Sequence, residues 1–161
     1  MTGGSVVHRI DPQYFANILL RIVPDLPQPV VESLWSAHEA RCYSPAEFLL
    51  QEGKASQGVF LIVSGVVSLS LSKSVKQGRT IHSRELRAPT ILGVSDTLLN
   101  SPVSLSARAL SEVCAAFIHK AAFLKAVRQS PSAGIAFSHL IAQELSCTYS
   151  RLTELRGTTP G

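Results

Sequence analysis

The chain has 161 residues, enough for one domain and little more. Hydrophobic residues make up 45% of it and charged residues 16%, so it can bury enough apolar area to offset its ordering entropy, which excludes a disordered tail. The net charge of +4 is concentrated between Gly53 and Gln143, where ten basic residues stand against three acids; no aromatics interleave with them to stack bases, so a solvated basic face is favoured over a site for an anionic ligand or nucleic acid.

Residues 1–10 read as a loose leader. Asp11-Pro12 supplies a cap and a first-turn proline, and Tyr14, Phe15, Ile18, Leu19 and Ile22 form one apolar face, predicting a helix over about 12–22. After Pro24, Pro27 and Pro29, the residues Val30, Val31, Leu34, Trp35 and His38 recur at helical spacing as a second helix. From about residue 40 the period shortens. Ser44-Pro-Ala-Glu47 mimics a capping box, but the apolar run behind it is short, so it is read as the start of a strand. Phe48–Leu50, Val59–Val63 and Val66–Ser72 are β-forming runs set off by Gly53, Gly58 and Ser64-Gly65, the last pair suiting a hairpin loop. Strict alternation from Val67 to Ser72 predicts one buried face and one that is wet or lines a cavity. Val75-Lys-Gln-Gly78 reads as a turn with Arg79–Arg87 returning. Ala88–Gly93 is a short strand, Val94–Asn100 a helical turn, and the alternations at Val103–Arg108 and Val113–Phe117 are two more strands. About eight strands is the number for a double-sheet jelly roll. His119–Gln129 is helical, and Ser130-Pro131 opens a helix running to about Arg156. On it Ile141, Leu145, Thr148, Leu152 and Leu155 are spaced 4, 3, 4, 3, a heptad seam that predicts pairing with a second copy; the alternative is packing within one chain. Phe137, Leu140 and Tyr149 fall beside the seam, where they can lie on the barrel.

Cys42, Cys114 and Cys147 form neither a C-x-x-C pattern nor an even framework, so reduced, buried thiols are expected. The five histidines never pair at metal-binding spacing, so no metal site is expected. The longest uncharged stretch, Gln129–Gln143, is too short and polar to span a bilayer, and Met1-Thr-Gly-Gly-Ser lacks the features of an export signal, so a cytoplasmic protein without a membrane partner is expected.

Glu47-Phe-Leu-Leu-Gln-Glu-Gly53, then Gly58-Val-Phe-Leu-Ile-Val-Ser-Gly65-Val-Val, then Leu92-Gly93 through Ser101-Pro102 to Ala109, then the long helix, resemble the glycine-bounded strands, phosphate-binding cassette and terminal helix of the cyclic-nucleotide-binding domain of catabolite-activator-type regulators. The resemblance covers about 40–156. It implies an eight-stranded jelly roll with two amino-terminal helices and a long carboxy-terminal dimerisation helix: helices over 11–39, the roll over 40–118, helices over 119–156 and a tail from 157. In that family a glutamate directly after the cassette glycine binds the ribose hydroxyl, and an arginine after a proline-type position neutralises the cyclic phosphate. This chain has Val94 and Val103 there. Each lost charge-assisted hydrogen bond costs roughly 1.5–3 kcal/mol, so two losses weaken binding by about two to four orders of magnitude. Weak or absent binding of cyclic AMP and cyclic GMP is expected, with Val94 and Val103 as an apolar pocket floor.

The candidate ligand-binding residues are therefore Gly93, Val94, Ser95, Val103, Ser104, Arg108 and Thr148. The resemblance implies phosphate contact for Ser104 and contact with a base from Thr148. Asp96 is unfavourable beside a phosphate, and Arg108 is the one replacement for the lost arginine, though a solvated strand arginine is favoured. The expected function is a non-enzymatic sensor of another small ligand or of a protein partner, with no cofactor; the alternative is a divergent but genuine cyclic-nucleotide receptor. A jelly-roll metalloenzyme needs an H-x-H pair, and His82 stands alone; a haem ligand at His82 or His139 has no support. Regulators of the family continue into a winged helix-turn-helix, whereas this chain stops at Gly157-Thr-Thr-Pro-Gly161, so direct DNA binding is not expected.

Overall fold

The computed structural model describes residues 10–71 and 82–157. Helix α1 (Pro12–Ile22) starts where the Asp11 carboxylate accepts the Gln13 N–H at 2.9 Å, satisfying one of the free donors of the first turn. It buries Phe15, Ile18 and Leu19, and α2 (Gln28–Ala37) buries Val30, Val31 and Leu34; the Phe15 and Trp35 rings meet edge to face at 5.5 Å. Ile10, assigned to the leader from sequence, is buried in the same cluster.

Eight strands follow: β1 (Glu39–Tyr43), β2 (Phe48–Leu50), β3 (Gly58–Ser64), β4 (Val66–Leu71), β5 (His82–Arg87), β6 (Thr90–Leu92), β7 (Ser106–Ala109) and β8 (Val113–His119). They form two antiparallel four-stranded sheets, ordered β1-β8-β3-β6 and β2-β7-β4-β5. Helix α3 (Val94–Leu99) links β6 to β7, and α4 (Lys120–Arg128) and α5 (Pro131–Gly157) close the chain. This is a jelly roll with flanking helices. The first sheet is covered on both faces: Val59 and Leu61 of β3 and Ile118 of β8 pack on the helices, while Phe60, Ile62 and Phe117 pack between the sheets. Burial on two sides explains why β3 reads as a continuous apolar run. No helix among the described residues is long and apolar enough to cross a membrane.

Several expectations are corrected. Ser64-Gly65 is a corner rather than a hairpin, because β3 pairs with β6 and β8 while β4 pairs with β5 and β7. Gly65, at φ 101°, is needed there: a Cβ would meet the Glu112 carbonyl oxygen at 2.3 Å. Ser44–Glu47 does lead into β2, through a turn in which the Glu47 side chain accepts the Ser44 N–H at 3.2 Å. The strand expected from Val103 begins at Ser106. The turn at Val75–Gly78 and the start of its return strand lie outside the described residues.

The cysteines also differ from expectation. Cys42 and Cys114 face each other in register on β1 and β8 as a disulfide, Cα–Cα 4.2 Å, and Cys147 is exposed. The outward faces of two adjacent strands bring together residues 72 apart, which spacing along the chain does not reveal.

On α5, Ala133, Ala136 and Phe137 are buried, and Phe137 meets Phe123 of α4 at 5.0 Å between ring centroids. Of the expected seam positions, Leu145 and Leu152 are exposed. Ile141 packs against the chain's own core and Thr148 faces a cavity, while the exposed apolar stripe is Ile135, Ala142, Leu145, Tyr149 and Leu152. Tyr149 stands in the open at 62% exposure instead of on the barrel. Leu155's side chain lies outside the described residues.

Candidate functional site

A cavity of about 390 Å³ opens between the second sheet and α5, closed at one end by the corner from β6 into α3. Its walls follow from local periodicity. Leu69 sits one alternation beyond buried Val67 on β4, Arg84 and Leu86 share one face of β5, and Leu140, Glu144, Cys147 and Thr148 recur along one face of α5. Leu50, Ile91 and Leu92 complete an apolar lining.

Gly93 takes the left-handed conformation at φ 88° where β6 turns into α3; a Cβ there would meet the Gly58 carbonyl oxygen at 2.7 Å. Val94 and Ser95 line the cavity, Val94 with its side chain almost wholly buried. The next helical turn is tied down from behind by a buried hydrogen bond between the Thr97 and Ser56 hydroxyls, 2.9 Å.

Ser104 also lines the cavity, and its donors are taken. Its hydroxyl donates to Asp96 Oδ1 at 3.0 Å and its N–H to Asp96 Oδ2 at 3.4 Å. Thr148 lines the opposite wall, its hydroxyl donating to the Glu144 carbonyl at 2.9 Å.

Two expected residues lie elsewhere. Val103 is no part of the cavity floor: its N–H donates to the Lys54 carbonyl and its carbonyl accepts from Gly53, both at 2.8 Å, which turns the side chain into the core between the sheets. Arg108 is outside the cavity, its Nε donating to the Ala46 carbonyl at 3.0 Å and its guanidinium 5.5 Å from the Phe48 ring centroid.

Arg84 and Glu144 are functional candidates that reading the sequence missed. Burial raises the Glu144 carboxyl above the usual carboxylate range, and the Arg84 charge opposes the shift. The signal for Arg84 was its spacing of two from Leu86, hidden because β5 alternates poorly overall.

Residues 40–130 match the family model of the cyclic nucleotide-binding domain. The chain belongs to this family. Solved structures agree on the fold of this cyclic nucleotide-binding domain. A cyclic nucleotide-binding domain from Methylobacillus flagellatus superposes with TM-score 0.73 at 22% identity, covering 93% of this chain and 86% of that one. The Thermus thermophilus catabolite activator protein gives 0.68 at 22%, covering 84% and 62%. A Ruegeria pomeroyi protein gives 0.67 at 21%, covering 96% and 65%. The chain thus spans under two thirds of the length of the last two. No curated protein matches it.

Proposed function

We propose that this cyclic nucleotide-binding domain is a non-enzymatic regulatory module whose cavity takes a small ligand other than cyclic AMP or cyclic GMP, and whose α5 joins it to a second copy. The reading rests on Asp96. Its carboxylate already accepts both donors of Ser104 at the cassette, so an incoming phosphate would have to displace it and then lie beside its charge. Val94 and Val103 stand where the family's pattern supplies charge, and Arg108 is engaged at Ala46, so no cassette cation offsets the repulsion.

Calorimetry of the full chain with cyclic AMP and cyclic GMP tests this. Dissociation constants of about a millimolar or no heat are expected, and a constant of about a micromolar or better rejects the reading. Asp96→Asn, which keeps an acceptor for the Ser104 hydroxyl but removes the charge, is expected to improve cyclic nucleotide affinity about tenfold without reaching micromolar. A second reading, a divergent receptor, is favoured by Arg84, Gln143 and Thr148 lining the same cavity; micromolar binding by the parent chain is its signature.

A further inference from the structure

Three charged side chains line the cavity among the described residues: Arg84 on β5, Glu144 on α5 and Asp96 on α3. Asp96 is held by Ser104. Arg84 and Glu144 stand on different walls, out of ion-pairing reach of each other, and neither side chain has a hydrogen-bonding or ion-pairing partner among the described residues. They nevertheless feel one another across the gap, since Arg84 opposes the upward shift that burial gives Glu144. Apolar Leu69, Leu86 and Leu140 line the same space.

We propose that the cavity binds a zwitterion with an apolar body, an amino acid with a hydrophobic side chain or its chemical equivalent, its carboxylate toward Arg84 and its ammonium toward Glu144. The proposal rests on the reading above that a small molecule other than a cyclic nucleotide occupies this cavity. The Arg84 and Glu144 side chains both reach solvent at the mouth of the cavity, so each is open to a ligand. A lone anion would be attracted by Arg84 alone and repelled by Asp96 and Glu144, and a lone cation would be attracted by Glu144 and repelled by Arg84. A zwitterion answers both, and its apolar side chain gains by leaving water for the leucines. About 390 Å³ lies within the range of small-molecule sites and accommodates a molecule the size of phenylalanine.

The test is calorimetry of the full chain with L-phenylalanine, phenethylamine and 3-phenylpropionate, which share a body and differ in charge, alongside cyclic AMP. L-Phenylalanine is expected to bind at least about tenfold more tightly than either truncated probe. Arg84→Met should reduce it to the level of the amine, and Glu144→Gln should remove its advantage over the carboxylate; circular dichroism confirms that both variants fold. Equal or tighter binding of 3-phenylpropionate, or no binding of any of the three at about 10 mM, overturns the zwitterion. If cyclic AMP is also silent, only the zwitterion falls; if cyclic AMP binds at micromolar concentration, the underlying reading falls with it.

Discussion

Glu144 shows how one side chain can report the state of the cavity. Its raised pKa means that the folded chain keeps a proton which the unfolded chain has already released, across a window from the ordinary carboxylate range up to the raised value. Through that window stability falls as pH rises, and above it the cost is fully present. Glu144→Gln removes the cost, so its urea midpoint is expected to exceed the parent's at about pH 7 and to converge with it near about pH 3, below the ordinary carboxylate range, where both side chains are neutral. A lower midpoint for the variant at neutral pH would mean that attraction to Arg84 outweighs desolvation. Residue by residue, the cassette was partly legible. Gly93, Val94, Ser95, Ser104 and Thr148 do line one cavity, because a glycine-ended strand and a regular helix place side chains predictably. Val103 falls outside the cavity because the family's pattern, carried onto it from the resemblance, does not account for its pinning to Lys54 and Gly53, and Arg108 is the exposed strand arginine that the alternation favours.

Among the elements, α5 borders both the cavity and an exposed apolar stripe. Its first turns are anchored by Ala133, Ala136 and Phe137, whereas from Ala142 to Glu154 every side chain is exposed and one face lines the cavity. Ile135, Ala142, Leu145, Tyr149 and Leu152 share the other face at spacings of 7, 3, 4 and 3, and apolar side chains at such positions gain by covering one another. Pairing of two copies along this stripe is the expected arrangement. Leu145→Glu places a charge at its centre and should convert a dimer to a monomer in sedimentation velocity without changing the circular dichroism; a variant that still sediments as a dimer places the contact elsewhere. The heptad period is readable in the sequence, and Leu145 and Leu152 belong both to it and to the exposed stripe. Two interleaved 3-4 patterns run along this helix, and the packing of Ile141 on the chain's own core favours the stripe.

Across the whole molecule, the architecture was far more legible than its closures. Both amino-terminal helices, the β-runs and the carboxy-terminal helices follow from caps, prolines and periodicity, since each signal is local. The crossing at Ser64-Gly65 and the bond between Cys42 and Cys114 were not legible, because each depends on which strands become neighbours. That disulfide ties β1, an edge strand, to β8 and closes a long stretch of chain, so its loss should cost about 2–4 kcal/mol of stability. Cys42→Ser is expected to lower the urea midpoint, and reducing the parent should lower it by a similar amount; an unchanged midpoint in both would show the bond to be energetically neutral.

The helix that walls the cavity also bears the stripe on its opposite side. A rod shared by two surfaces obeys reciprocity: whatever occupant biases its position at one surface alters the free energy of occupation at the other by an equal amount. The apparent strength of the small molecule's grip should therefore drift with dilution of the protein itself, and a titration run at a single chain concentration would sample one point of a coupled surface.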